Sequence, residues 1–298
     1  NIKTLDFCGL SSKHFGSALT SLAEYMGRLR LVQDYEDDDE KEPTYSFQSV
    51  KNVALPDLQR LSLHNCSIIS EYSTILTLLA HAPNITHLDL GGCSVSEMTL
   101  NFLATQTNVT KNLTHLLLAR CKHISSEAIA SLIIQCENLR VLNLYDIATA
   151  ISEYDLITIL RSQTAKRFQS LDLGSSYVTS RVLHAIQENC TSALQHLGIA
   201  LAQIPLTIQL NEFLTSMPSI QYIDLTGVKC LTPISIRGLL DNLQTNHSLH
   251  TVEMSESLIK NLCAIKGWKI NDNFSRRYCY TKLSHGRRKS PFEKIGCG

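Results

Sequence analysis

Three residues carry side chains of the types that can bind a metal ion such as zinc: His87, Asp89 and His115. A protein zinc site is usually tetrahedral, with imidazole, thiolate or carboxylate ligands. The three residues belong to two copies of one repeated pattern, so we expect them on neighbouring strands of an open sheet, which rarely encloses an ion. Because no fourth ligand accompanies them, we expect a polar binding surface here, with no metal site.

Cysteine is the second residue type that could do chemistry, and the chain contains ten of them. Cys66, Cys93 and Cys121 occupy the same slot of consecutive repeats, where a small buried side chain is expected. A buried thiol in apolar surroundings is inert as a nucleophile. We therefore expect these cysteines to be reduced, which favours the cytoplasm and/or the nucleus, where disulfides are rare.

The sequence contains none of the catalytic motifs that would indicate an enzyme. The sequence has no H-E-x-x-H pair, no Ser–His–Asp arrangement and no glycine loop of the kind that cradles a phosphate. Gly91 and Gly92 follow a strand core and are better explained by a tight turn. We expect no catalytic residue, no cofactor and no enzymatic activity.

One repeated pattern, L-x-x-L-x-L-x-x-C, must position all of these residues; Ile85–Cys93 is a copy of it. Ser or Thr follows most copies where it would cap a helix, and apolar residues then recur at helical spacing. A fixed recurrence of this kind predicts an α/β fold, a curved leucine-rich repeat solenoid with a parallel sheet on its concave side and helices on its convex side. Copies begin at Leu58, Ile85, Leu113, Leu139, Phe168, Leu194, Ile220 and Leu249.

Repeat spacing and charge divide the chain into four parts. Residues 1–33 hold the first visible repeat, and we expect the chain to begin inside the solenoid. Residues 34–57 are an acidic insertion, which we expect to be a loop because its charged run, Asp34–Glu42, cannot bury itself. Residues 58–257 are the regular leucine-rich repeats, and residues 258–298 form a C-terminal cap with a basic tail.

The two charged segments are open to more than one interpretation. The acidic run is either a solvated insertion or a docking strip for a basic partner. The basic tail is either a polar cap with a solvated end, a nuclear-localisation patch, a contact for phosphate or anionic lipid, or a contact for the acidic run. Trp268 lies in what we expect to be one last strand.

Positions between the leucines face the concave side, and equivalent positions of stacked strands form columns. Residue type changes from repeat to repeat within these columns, while the flanking motif positions stay apolar and are mostly leucine. Such a mixture of imidazole, aromatic and oppositely charged groups suits a protein interface with a few strong anchors, for which Tyr145 and Arg120 are the first candidates. The predicted protein-binding residues are Arg60, His64, His87, Asp89, His115, Leu117, Arg120, Tyr145, Asp146, Asp172, His196, Tyr222, Asp224 and Glu253.

Overall charge and hydropathy limit the kinds of partner. The formal net charge is +0 at pH 7, which argues against nucleic acid as the main partner. No apolar run reaches the roughly 18 residues that a membrane-spanning helix needs. We therefore expect a protein partner, no nucleic acid and no membrane span.

The repeats resemble the cysteine-containing class of leucine-rich repeats, in which the Cys slot is followed by I/V-S/T and a helix that ends in C-P-x-L. One copy has Cys121, Ile124-Ser125 and Cys136–Leu139; another has Val95–Glu97, preceded by Ala82–Ile85. This class is similar to the substrate-recognition half of F-box/leucine-rich-repeat proteins, and the Gly286–Lys289 tail is similar to fungal relatives. The resemblance implies a protein substrate on the concave face of a cullin–RING ubiquitin ligase receptor.

One departure from that family concerns the F-box, a helical module that opens with a Leu-Pro-x-Glu-like motif. Leu55–Leu58 runs directly into a repeat, so a ligase adaptor would bind through a module outside this chain. Two other functions remain open: a small-GTPase regulator of the solenoid type, and a scaffold without a link to a ligase. GTPase regulators usually carry Asn in the ninth motif slot, which here holds Cys, Ile, Ser, Ala or Val, so the receptor interpretation fits better.

Overall fold

The computed structural model describes residues 2–10, 13–26, 31–34, 44–47, 55–66, 72–121, 123–147, 151–202, 204, 207–242, 248–255, 257–258, 268–271 and 278–282. The acidic residues of 36–42, the cysteine at 263 and the tail from 283 onward lie outside this part of the chain. What the sequence predicts for those segments stays a prediction, and so do the boundaries of the four parts.

A short strand lies at every predicted strand core. The strands are β1 (Thr4–Asp6), β2 (Leu31–Asp34), β3 (Thr44–Phe47), β4 (Arg60–Ser62), β5 (His87–Asp89), β6 (His115–Leu117), β7 (Val141–Asn143), β8 (Ser170–Asp172), β9 (His196–Gly198), β10 (Tyr222–Asp224), β11 (Thr251–Met254), β12 (Trp268–Asn271) and β13 (Tyr278–Lys282). Strands β1 and β4 to β11 pair in parallel, each with the strand of the next repeat. The predicted α/β leucine-rich repeat solenoid is confirmed.

The motif leucines form one continuous core between the sheet and the helices. In a central repeat Leu142 and Leu144 are fully buried, with 0% of their surface exposed. Backbone bonds also join each repeat to the next: the Leu144 N–H donates to the Asp172 carbonyl at 2.8 Å. Each repeat therefore depends on its two neighbours, and the solenoid is stabilised by a series of similar interfaces.

Helices on the convex side are α1 (Lys13–Met26), α2 (Tyr72–Ala80), α3 (Glu97–Thr105), α4 (Thr107–Asn112), α5 (Ser126–Gln135), α6 (Glu153–Arg161), α7 (Ser180–Cys190), α8 (Thr207–Thr215) and α9 (Pro233–Asn242), and Thr164–Arg167 forms a 3-10 turn. A side-chain oxygen before a helix satisfies one of its free N–H groups. The predicted caps that accept such a bond, from the residue three positions later, are Ser96, Ser125, Ser152, Thr179 and Thr232.

The insertion differs from its prediction. Strands β2 and β3 pair antiparallel, with Leu31 opposite Phe47 and Asp34 opposite Thr44. The sequence of β3, Thr-Tyr-Ser-Phe, contains the β-branched and aromatic residues that favour strands. The loop prediction is therefore wrong for Thr44–Phe47, because local strand propensity was overlooked beside the acidic run.

The C-terminal end also differs from a simple last repeat. Strand β12, which contains Trp268, is present, but β13 lies between it and β11. Strand β13 pairs antiparallel with β11, placing Tyr278 opposite Met254, and antiparallel with β12. A hairpin therefore covers the C-terminal edge of the repeat sheet, where an unpaired strand would expose its backbone groups.

The three predicted thiols form a buried row. Cys66, Cys93 and Cys121 are free, with 1%, 4% and 0% of their surface exposed. Each thiol donates to a carbonyl of the preceding repeat; the acceptors are Phe7 at 3.0 Å, Leu63 at 2.8 Å and Leu90 at 3.1 Å. The prediction that these cysteines are buried and reduced is confirmed, whereas Cys8 is disulfide-bonded, so reduction does not extend to every cysteine.

Ser176 occupies the same slot as these cysteines and provides a test of it. Ser176 is 2% exposed, and its hydroxyl has no hydrogen-bond partner among the described residues. We expect Ser176→Cys to raise the free energy of unfolding by about 1 kcal/mol, because a buried hydroxyl without a partner is replaced by a less polar group. Cys121→Ser, the reverse change, should lower it by about 1–2 kcal/mol. Urea denaturation measures both, and a stabilising Cys121→Ser would contradict this account of the slot.

Candidate functional site

The register of the sheet arranges most of the predicted binding residues in two columns, and the others follow the strands. We count motif positions from the first leucine of L-x-x-L-x-L-x-x-C. Position 3 forms the first column, with residues Thr4, Arg60, His87, His115, Val141, Ser170, His196, Tyr222 and Thr251. Position 5 forms the second column, with residues Asp6, Ser62, Asp89, Leu117, Asn143, Asp172, Gly198, Asp224 and Glu253.

The Asp and Asn residues of the second column have a structural role that the sequence prediction missed. The Asp172 Oδ1 accepts the N–H of Gly174 at 2.9 Å, and the Asn143 Oδ1 accepts the N–H of Tyr145 at 2.8 Å. A side-chain oxygen that accepts an N–H two residues later forms an Asx turn, which here ends the strand. The other residues that make this bond are Asp6, Asp89 and Asp224.

The backbone at position 8 is left-handed in successive repeats, with φ between 56° and 72°. Non-glycine residues in this conformation cost roughly 1–2 kcal/mol, so the surrounding structure must compensate. One compensation is a bond to the next repeat: the Arg120 N–H donates to the Tyr145 carbonyl at 2.8 Å. This fixed backbone line is the rim of the concave face, formed by Gly9, Asn65, Gly92, Arg120, Asp146, Ser175, Leu201 and Gly227.

Tyr145, which directly precedes Asp146 of the rim, forms an ordered contact with the rim residue Arg120. The Tyr145 ring lies against Gly174 so closely that a Cβ on the glycine would be 2.4 Å from the ring Cδ2. The Arg120 guanidinium carbon lies 5.7 Å from the centre of the same ring, within the range of a cation–π contact. Both side chains reach solvent, and their mutual contact gives the pair a defined orientation on the surface.

His64, which follows β4, is also held in place by residues of the next repeat. Its Nδ1 is 3.2 Å from the Asp89 Oδ1, and a Cβ on Gly91 would be 2.6 Å from that Nδ1. Burial raises the pKa of Asp89, while the Gly91 N–H and His64 act in the opposite direction. Asp89 therefore orients His64 instead of offering its own carboxylate to a partner.

His87 and His115 stack on each other in the first column. Their ring centres are 3.8 Å apart and the ring planes differ by 17°. The Nδ1 atoms lie 2.8 Å and 2.9 Å from the hydroxyls of Thr86 and Thr114. Both hydroxyls donate their own proton to a backbone carbonyl, so each imidazole must donate its Nδ1–H and keep an unprotonated Nε2.

Electrostatics keep this stacked pair neutral. Burial lowers the pKa of His87 to about 4, with a further contribution from Arg60. Burial also lowers the pKa of His115 to about 4, together with the charges of His87, Arg60 and Arg140. At neutral pH the pair is therefore an uncharged surface with two nitrogen lone pairs.

The three residues considered as a candidate metal set, His87, Asp89 and His115, have separate hydrogen-bond partners. Asp89 directs Oδ1 to His64 and to the Gly91 N–H, away from a shared site with His87 and His115. Among the described residues there is no group of three His, Cys, Asp or Glu side chains that could hold a metal ion. Burial raises the pKa of Cys93 and Cys121 to about 12, which keeps both thiols protonated and poor nucleophiles.

Burial divides the predicted binding residues into two groups. Those with 4–9% of their surface exposed are Asp89, Leu117, Asp172, Tyr222, Asp224 and Glu253. Tyr222 donates its hydroxyl to Glu253, so these two also interact within the sheet. Those that reach solvent and can meet a partner are Arg60, His64, His87, His115, Arg120, Tyr145, Asp146 and His196.

Arg140 is an exposed residue of this face that the sequence prediction left out. It occupies position 2, directly before Val141, and Val141 pairs with His115. Position 2 was not treated as part of the columns because it precedes the strand. A comparison of position 2 across the repeats, looking only for charged residues, could have placed Arg140 beside the histidines.

No family model and no curated protein matches the chain. The solved structure of the Rad7 and Elc1 complex in yeast is similar over 59% of this chain and 58% of that chain, with 13% identity and a TM-score of 0.41. The structure of an internalin (inlF) from Listeria monocytogenes is similar over 86% of this chain and 74% of that chain, with 15% identity and a TM-score of 0.44. The similarity thus spans less than two thirds of the yeast chain, and the fold assignment rests on the strand register. Among the described residues, no helix is long and apolar enough to cross a membrane.

Proposed function

We propose that this chain is a protein-binding repeat domain without catalytic activity. The observation that carries the proposal is the contrast between the uniformly apolar, buried motif positions and the varied, solvent-exposed side chains beside them. Arg120 and Tyr145 are preoriented on the rim, and the His87–His115 stack lies on the face itself. Tyr and Arg are the residues that most often dominate binding energy at protein interfaces.

A finer proposal follows from the class of repeat. We propose that the domain recognises the substrate of an F-box-type cullin–RING ubiquitin ligase in the cytoplasm or nucleus, with the adaptor bound elsewhere in the protein. The support is the resemblance of the Cys-containing repeats, whose thiol row is present as a structural element. Co-purification of the natural full-length protein with a cullin and its adaptor tests this part. If neither co-purifies, the ligase proposal is wrong and a scaffold function without a ligase is favoured.

Partner capture tests the rim directly. We expect the double variant Tyr145→Ala/Arg120→Gly to capture at least about tenfold less of the partner than the natural chain does. Hot-spot side chains of these types each contribute on the order of 1–2 kcal/mol. Gly is chosen at position 120 because it keeps the left-handed backbone. The measurement is quantitative mass spectrometry of proteins retained by the purified chain, followed by affinity measurement with the purified partner.

The convex face supplies a matched control. Tyr154→Ala/Arg161→Ala also removes one Tyr and one Arg, but from α6, where these side chains are 78% and 60% exposed. This control should capture the partner as the natural chain does, and all three proteins should have similar melting temperatures. Equal capture by the rim variant, together with loss in the convex variant, would place the interface on the helices and refute the proposal.

A further inference from the structure

Two arginines and the two neutral imidazoles form a cluster on the concave face, here named the cationic cluster for its arginines: Arg60, His87, His115 and Arg140. Arg60, His87 and His115 are consecutive in the first column, so their strands lie side by side. Arg140 precedes Val141, the strand partner of His115. The charge of Arg60 acts on both rings, and that of Arg140 acts on His115.

This cationic cluster has no acidic counterpart within the described part of the chain. Arg60 and Arg140 are exposed, and neither makes an ion pair there. The charged groups that act on the two rings are Arg60 on β4, Arg140 before β7 and the neighbouring imidazole, so all of them are cationic or can become so. The nearest acid of the second column, Asp89, is engaged by the Gly91 N–H and His64.

The imidazole nitrogens determine what this cluster can bind. Because each Nδ1–H is committed to a threonine, only Nε2 is left to interact with a ligand. An unprotonated Nε2 accepts hydrogen bonds and would repel the oxygen of a carboxylate. Once protonated, the same atom donates a charge-assisted hydrogen bond to that oxygen.

We propose that the cationic cluster binds an acidic segment of the partner protein, with Glu or Asp side chains between Arg60 and Arg140, and that binding transfers a proton from solvent to Nε2 of the His87–His115 stack. This inference rests on the proposed protein-binding function and specifies the chemistry of the partner. The two rings are 3.8 Å apart, so a second proton would repel the first, and uptake approaches one proton per complex.

Purified peptides test the cluster without knowledge of the natural partner. The probes are peptides of about ten residues made of Glu, Gln or Lys, and the protein is the unmodified 298-residue chain. We expect the Glu peptide to bind, and its affinity to rise about tenfold from pH 7.5 to pH 5.5, which corresponds to uptake of about half a proton over that range. Calorimetry in phosphate and Tris buffers measures the proton uptake directly, since the two buffers differ in ionisation enthalpy.

Matched variants separate the roles of the four side chains. Arg60→Gln/Arg140→Gln should weaken Glu-peptide binding at least about tenfold, because two charges that contact the anion are removed. Arg161→Gln/Arg181→Gln makes the same charge change on the convex face and should leave binding unchanged. His87→Gln/His115→Gln should abolish the proton uptake and the pH dependence. If this variant does not fold, the arginine pair still tests anion binding and calorimetry of the unmodified chain still tests the proton uptake.

Each other outcome overturns the proposal in a different way. Equal binding by the cluster and convex variants would show nonspecific attraction. Binding of a phosphoserine peptide or inorganic phosphate, but not of the Glu peptide, would assign the cluster to phosphate. Binding that emerges after neutralisation of the acids between Asp34 and Glu42, or self-association that the arginine pair abolishes, would assign the cluster to the chain's own acidic run or to a second copy. If the variant Tyr145→Ala/Arg120→Gly captures the partner as well as the natural chain does, the proposed function is refuted. The peptide result is independent of that outcome.

Discussion

Acidification from pH 6.5 to pH 4 is expected to lower the free energy of unfolding by roughly 2–3 kcal/mol through His87 and His115 alone. Both rings have a pKa of about 4 in the fold, against an ordinary value of 6.5. The unfolded chain therefore binds more protons between these values, and stability falls as the pH falls through that window. A fully expressed difference would be about 3.4 kcal/mol per ring, which we reduce by more than half because the rings are partly exposed to solvent.

Urea denaturation at a series of pH values measures this effect. The variant His87→Gln/His115→Gln should lose less stability than the natural chain over the same interval, whatever its stability at pH 8. His184→Gln, a change of a 64% exposed histidine on α7, is the control and should follow the natural chain. Parallel pH profiles for the natural chain and the double variant would show that the stacked pair does not contribute to acid sensitivity.

Replacing Asp89 by Ala is expected to lower the free energy of unfolding by about 2–3 kcal/mol, because two hydrogen bonds to a carboxylate are lost in a buried setting. Asp89 is 4% exposed, and its Oδ1 interacts with both the Gly91 N–H and His64. Asn143 makes the same turn bond with an amide oxygen. Asp89→Asn should therefore retain most of the stability at neutral pH.

The charge of Asp89 adds a pH dependence to this comparison. Burial raises the pKa of Asp89 above its ordinary value of 3.8, so the cost of the charged form is fully present above the folded-state pKa. Stability of the natural chain decreases as the pH rises through that window, and Asp89→Asn removes this decrease. If Asp89→Asn is as destabilising as Asp89→Ala at pH 7, the charge and not the turn oxygen is what the site requires.

Periodicity in the sequence was sufficient to predict the repeat sheet. The spacing of the motif leucines determined which residues pair across strands, so His87 opposite His115 and Asp172 opposite Gly198 follow from counting alone. The side chain of a strand residue alternates faces, which makes this prediction reliable wherever one face is apolar. Strand β13 was missed because an antiparallel partner has no repeat to identify it.

The burial of the second column could not be derived from the same pattern. An Asp in a variable column resembles a binding residue, although its recurrence at position 5 of several repeats indicates a turn. Asp6, Asp89, Asp172 and Asp224 share that slot with Asn143, and each binds a backbone N–H. The ring stack also lay beyond prediction, because it depends on the threonine hydroxyls that precede His87 and His115.

The in-register parallel strands also set a length scale for anything that lies across them. Neighbouring strands are about 4.8 Å apart, whereas a turn of α-helix rises about 5.4 Å, so the two differ by roughly 0.6 Å per repeat. Over the three steps from β4 to β7 the difference accumulates to about 2 Å, less than half a strand spacing. A helical segment can therefore match one turn to one repeat across Arg60, His87, His115 and Val141, and it loses this commensurate fit over a longer stretch.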